Sequence, residues 1–361
     1  MISRAVRLLA LGGACATLGC SNPTGGAAES ALSDLGCTIP VQFIADGGPG
    51  KDGIPALTDP RLVAPDDPEA SYLLAGDRVI GLHVGDEHLA IPVNIGWWHE
   101  VVNLNRSGLR LAVTHCPLTG SSLVFERGSA SNAEFGVSGL LFMNNLMLYD
   151  RTEQPSLWPQ MVRGARCGSR SGTQLPMYPS VEMTWAGWRA LHPGTRVVSR
   201  LTGYSRDYTS YPYGDYARAD NPALLAPMPA VDERRRPKER VLGVVFGDGK
   251  GVALPFGALD AVGPVAAISL SSGGESAVVF WDRATQGAAA FVPRFETQAL
   301  TFRVVGSSVV DEQTGSSWSV DGLAIAGPLK RAQLVAVNDA FVSYWFAWAA
   351  FYPGSVLWSA P

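Results

Sequence analysis

Two alternating apolar segments meet at a Gly-Asp turn in "RVIGLHVGDEHLAIPV" (78–93), the pattern of a β-hairpin. "LRLAVTH" and "SSLVFER" read as two further strands joined through Cys-Pro-Leu-Thr-Gly, and "AEFGVSGLL" with "NLMLYDR" as another pair. Helical spacing is confined to short stretches. "TWAGWRALHP" (184–193) carries apolar residues at helical intervals behind a threonine cap and ends before proline. "NIGWWHEVVN" (94–103) predicts a second short helix. The tryptophans of these helices are expected to pack helix on sheet.

The pattern also repeats. Trp158, Trp185, Trp188 and Pro193 return as Trp318, Trp345, Trp348 and Pro353, each 160 residues further on. "DRTEQPSLW" (150–158) resembles "DEQTGSSW" (311–318), and "VIGLHVGDEHLAIP" (79–92) resembles "VLGVVFGDGKGVALP" (241–255). One period with two copies does not make a solenoid. The expected fold is mainly β, an α+β arrangement with a few short helices, in two internally duplicated β-rich halves packed together. The boundaries read as 40–219 for the first half, 220–240 for a linker and 241–361 for the second half. Within the linker, "DERRRPKER" (232–240) reads as a solvated, mixed-charge run.

Composition supports this picture: 40 glycines and 25 prolines among 361 residues favour turns and short strands, and charged residues make up only 17%. A net charge of -4 gives no support for a nucleic-acid partner. The N-terminus places the chain. "MISRAVRLLALGGACATLGC" has two arginines, an apolar run and Gly19-Cys20, the form of an export signal over residues 1–19 with a lipobox-like cleavage site. Thr17 departs from the leucine usual there. Cys20 would carry the lipid and 20–39 would be a tether, so membrane contact is expected through the anchor only, with the protein facing the periplasm or exterior. Cleavage near Ala16 and simple secretion is the competing reading.

Outside the cytoplasm disulfides persist. Cys37, Cys116 and Cys167 remain after processing, and the sequence alone does not choose a pair. The duplication acts as an internal control, because residues found in one copy alone are candidates for a task. "LAVTHCPLTGSSLVFER" aligned with "SAVVFWDRATQGAAAFVPR" puts His115 and Cys116 opposite Trp281 and Asp282. His99 and Glu100 have no counterparts, and all five histidines (83, 88, 99, 115, 192) lie in the first half. His115, Cys116, His99 and Glu100 are therefore the candidate site. A thiolate with imidazoles would bind copper or zinc, with Cys116, His115 and His99 as ligands and Glu100 in support. A cation beside Cys116 would instead lower its pKa for redox chemistry. A buried cysteine beside a hydrogen-bonded histidine is the structural alternative, because adjacent strand residues face opposite ways unless the chain bends at Pro117. A non-catalytic binding or scaffold lipoprotein, with "GYSRDYTSYPYGDY" (203–216) as a ligand surface or a packed loop, is the functional alternative. No Gly-x-Ser-x-Gly elbow or P-loop occurs.

"GKDGIPALTDPRLV", "GWWHEVVN", "HCPLTGSSLVFERG", "FGVSGLLFMNNLMLYDR", "TWAGWRALHPGTRVVS", "ERVLGV", "TGSSW" and "YWFAWAAFYP" follow one another between residues 40 and 358. In this order they resemble the bacterial domain of unknown function numbered 3179. The resemblance implies a second cysteine, or selenocysteine, in many relatives where Thr119 stands here, so this chain lacks the local dithiol. Met143 and Asn145 depart from the Asn and Asp usual between the paired strands. Cys37 and Cys167 fall outside the family motifs, which leaves a disulfide between them as the expectation and Cys116 as the odd thiol.

Overall fold

The computed structural model describes residues 35–360, so the export segment and Cys20 lie outside the described residues. The chain is mainly β. Among the described residues are four α-helices of seven residues each: α1 (Val93–His99), α2 (Trp185–Leu191), α3 (Phe256–Val262) and α4 (Trp345–Phe351). α1 and α3 each follow an extended proline, Pro92 and Pro255. α2 starts at Thr184, whose hydroxyl accepts the Gly187 amide at 3.3 Å. The segment read as one helix over 94–103 is shorter. Glu100 adopts φ 55°, its amide closes on the Gly96 carbonyl, and the chain leaves as strand Val101–Arg106.

Two sheets share one plan. In the first, hairpin Arg78–Val84/Glu87–Pro92 is flanked by antiparallel Val181–Thr184 and by parallel Arg196–Val198, with Leu62–Val63 at the edge. In the second, hairpin Arg240–Val245/Gly251–Pro255 is flanked by antiparallel Ala340–Tyr344 and parallel Val356–Leu357. α2 and α4 make the crossovers between the flanking strands. Between hairpin and crossover the first half adds two four-stranded sheets, each completed by one strand from ahead of the hairpin, and the second half adds sheets of three, two and four strands.

The tryptophans explain why two glycines recur. Trp188 and Trp348 are fully buried, and their indole N–H groups donate to Thr195 Oγ1 (2.9 Å) and Ser355 Oγ (3.1 Å). Each ring lies on a strand glycine: a Cβ on Gly81 would meet Trp188 at 2.3 Å, and one on Gly243 would meet Trp348 at 1.9 Å. Gly243→Ala is expected to destabilise by about 1–3 kcal/mol through overpacking, seen as a lower urea midpoint with an unchanged slope. An unchanged midpoint would mean the ring has room to move.

The halves share their cores. One buried cluster unites Val101, Cys116, Phe125 and Trp158 with Phe341, Trp345 and Trp348. Another unites Val79, Trp185 and Trp188 with Phe280, Phe291 and Trp318. The basic run ahead of the second half is only partly solvated: Lys238 is buried and donates to the carbonyls of Asn221 (2.9 Å) and Ala223 (2.8 Å), and Glu239 is buried against Arg235.

Candidate functional site

His115 and Cys116 end strand Leu109–Cys116, opposite Ser122 and Ser121. Strand alternation sends their side chains to opposite faces. On one face His115 Nδ1 lies 3.0 Å from Ser122 Oγ, and that hydroxyl donates to Glu182 Oε2 at 2.7 Å. Glu182 Oε1 receives both Arg78 and Arg240 at 2.7 Å. Burial works to raise the Glu182 pKa, but the two guanidiniums hold it down to about 2. An ionised carboxylate only accepts, so Ser122 spends its proton on Glu182 and must accept from His115. His115 is therefore a neutral imidazole protonated on Nδ1. Burial, with Arg78 nearby, pushes its pKa down to about 3. The carboxylate orders the serine and not the histidine, the reverse of a hydrolase triad.

On the other face Cys116 is fully buried. Its sulfur accepts the Leu146 amide at 3.3 Å and its thiol points at the Asn144 carbonyl, 3.7 Å away. Burial, then the Glu100 carboxyl, pushes the thiol up to about 11. That is the environment of an inert structural cysteine, since reactive ones are partly exposed and have lowered pKa values. Thr119, where relatives would carry the second cysteine, accepts from Asn145 Nδ2 (3.0 Å) and shares a hydrogen bond with Ser121 (2.8 Å). Gln160 closes this buried network by accepting from Ser121 (2.6 Å) and donating to Thr114 (2.8 Å). A disulfide joins Cys37 to Cys167, S–S 2.15 Å.

His99 points elsewhere again. Its Nδ1 lies 2.7 Å from the Pro55 carbonyl, to which it must donate, and its Nε2 then accepts the Tyr208 hydroxyl at 2.7 Å. Both nitrogens are occupied, so no lone pair is left for a metal. Tyr208 belongs to the tyrosine-rich stretch, which packs on its own half: Tyr216 donates to the Leu118 carbonyl at 3.0 Å, and Trp98 donates to that of Asp207 at 3.1 Å. Of the four residues singled out by sequence, Glu100 lies near Cys116, while His115 and His99 point elsewhere. The structure does not bring Cys116, His115 and His99 onto one ligand.

It brings together three others. His83 and His88 are directly paired across the first hairpin, and His192 caps the C-terminus of α2. One ring nitrogen of each lies within 4.8 Å of the other two. Asp321 of the second half reaches in: its Oδ2 is 2.7 Å from His192 Nε2 and 3.3 Å from His83 Nε2. The signal was present in the sequence, because His83 and His88 flank the turn symmetrically and must share a face. Asp321 carried no such mark. Beside this cluster a cavity of about 380 Å³ opens between the halves. Its walls are mostly apolar, with Ile80 and Val181 from one half and Leu242, Phe341 and Val342 from the other, while Ser122, Glu182, His83 and Asp321 supply polar atoms.

Fold and site together define a β-rich protein with a polar cluster beside an apolar cavity. Residues 51–355 match the family described as protein of unknown function (DUF3179), and the chain belongs to that family. No curated protein and no solved structure matches the chain. No helix among the described residues is long and apolar enough to cross a membrane.

Proposed function

We propose that this is an exported binding protein of the bacterial cell envelope, tethered by a lipid on Cys20, that takes a small and mainly apolar ligand between its halves. The cavity carries this reading. It has apolar walls from both halves and a few convergent polar groups, the ordinary make-up of a small-molecule site. The inert surroundings of Cys116 favour binding over thiol redox chemistry. The arginine-led apolar run ending in Gly19-Cys20 supports export and anchoring.

Cys20→Ala should move the protein from the membrane fraction to the soluble one, and retention at the membrane would overturn the anchor. The released protein should bind one equivalent of 1-anilinonaphthalene-8-sulfonate with enhanced fluorescence. Ala289→Trp, which fills the cavity wall, should abolish that binding while the protein still melts cooperatively. Equal dye binding by both forms would overturn the cavity reading.

A further inference from the structure

We propose that His83, His88, His192 and Asp321 form a binding site for one divalent transition-metal ion of the zinc class, built across the two halves. This goes beyond the apolar-ligand reading and does not depend on it. The donors are of the right kind: three imidazoles and one carboxylate, with no thiolate, suit a four-coordinate borderline ion. Their spacing is close to what an ion needs, the 2.7 Å contact being a hydrogen bond whose proton the ion would displace. Zinc–nitrogen bonds of about 2.0–2.1 Å place tetrahedral donors roughly 3.4 Å apart. The Asp321 oxygen sits 2.7 Å from His192 Nε2 and 3.3 Å from His83 Nε2, and the three imidazole nitrogens lie within 4.8 Å of one another.

A second observation points to a missing partner. His83 Nε2 is buried and satisfies no hydrogen bond, even though the Asp321 oxygen is near it. The nitrogen is close to the carboxylate but is not aimed at it as a donor would be. A buried imidazole nitrogen left unpaired costs free energy, and a shared cation would satisfy it together with its neighbours. The surroundings hold the donors in place. Ser319 donates its hydroxyl to Asp321 Oδ1, Tyr178 holds the His83 carbonyl at 2.5 Å, and Thr195 holds that of His88 at 3.0 Å. His88 stacks on His192, ring centroids 4.1 Å apart, and Trp188 lies against the cluster. Such outer partners orient ligands in metal sites. His88 is only partly buried, which leaves a route for the ion.

The corresponding place in the other half is an internal control. Val245 and Gly251 are paired across the second hairpin as His83 and His88 are across the first. Tyr352 stacks on Trp348 at 4.3 Å, where His192 lies 4.2 Å from Trp188. The Tyr352 hydroxyl donates to the Met161 carbonyl at 3.0 Å, at the position that Asp321 takes across from His192. The same frame there closes with no histidine, and the carboxylate near Tyr352, that of Asp339, is ion-paired with Arg163, so packing alone does not require three imidazoles.

Metal-stripped, tag-free protein titrated with zinc sulfate should bind one equivalent, and the bound form should melt at a higher temperature. Cobalt(II) in its place should give the intense visible absorption of a tetrahedral site without a thiolate charge-transfer band. His88→Gln and Asp321→Asn should each weaken zinc binding by at least about 100-fold, beyond the loss typical of an outer partner. Cys116→Ser should bind zinc as the parent does. Far-ultraviolet circular dichroism and melting in EDTA establish that each variant is folded, and His88→Gln at a partly exposed position is the safeguard if Asp321→Asn fails to fold. The proposal is overturned if zinc fails to bind at one equivalent, if folded His88→Gln binds it unchanged, or if Cys116→Ser abolishes binding.

Discussion

Glu182→Ala is expected to destabilise the protein by about 3 kcal/mol, because it strands two largely buried guanidiniums. Arg78 and Arg240 both meet Glu182 Oε1 at 2.7 Å, and the side chain of Glu182 is only 3% exposed. Arg78 and Glu182 belong to neighbouring strands of the first sheet, whereas Arg240 begins the second hairpin, so this ion group ties the halves together. Two cations around one carboxylate leave a net positive charge, and Ser122 holds the carboxylate by donating to its other oxygen. Removing the carboxylate leaves both partly buried charges with no counterion. The sign with pH follows. The Glu182 pKa falls from 4.5 to about 2 on folding, so its contribution is complete above about 4.5 and is lost as pH falls toward 2. Urea denaturation at neutral pH measures the loss, and the variant should lack that part of the acid limb. Combining Glu182→Leu with Arg78→Met and Arg240→Met should recover most of the stability, since a well-packed apolar group escapes the desolvation cost. A loss under about 1 kcal/mol for Glu182→Ala would mean that water already reaches the guanidiniums.

The elements that were legible in the sequence are those whose pattern is local. The hairpin around Gly85-Asp86, the strand pair around Cys116 and helix α2 with its Thr184 cap all follow from period and capping. The helix expected over 94–103 stops at His99 because Glu100 turns left-handed, and such a φ at a non-glycine residue is set by packing that propensity does not announce. The candidate site fared differently. That His115 and Cys116 face apart is fixed by a period of two, and Pro117 did not undo it. The histidine pair at 83 and 88 is equally local, since a tight hairpin must present both on one face. What is not local is Asp321, which reaches the pair only because strands of the second half pack against the first sheet. Asymmetry between the halves marks His83, His88 and His192, which fall where the second half carries Val245, Gly251 and Tyr352, as it marks His115 and Cys116.

Glu100→Gln is expected to stabilise the protein at pH 8 by on the order of a few kcal/mol and to remove a decline in stability on the alkaline side. The carboxyl of Glu100 is buried at the end of α1, and burial alone raises its pKa from 4.5 to about 8. The folded protein therefore holds a proton there that the unfolded chain has released. For a raised pKa the contribution is complete below about 4.5 and falls away as pH rises through 8. His99 and His115 act in the opposite direction. Burial lowers their pKa values from 6.5 to about 4 and about 3, so their burial is free of a charging cost only above 6.5, and stability drops as pH falls below that. The two effects overlap, and together they place the stability maximum in the mildly acidic to neutral range. A glutamine keeps the size and polarity of the protonated acid but cannot ionise, so the variant should follow the histidines alone, rising with pH to about 6.5 and then levelling. Urea midpoints at pH 5, 6.5 and 8 measure this. If parent and variant keep a constant offset across that range, Glu100 is ionised in the folded state and has a counterion. A gap that widens toward pH 8 means the neutral acid is the form the fold selects, beside a thiol that the same burial keeps protonated.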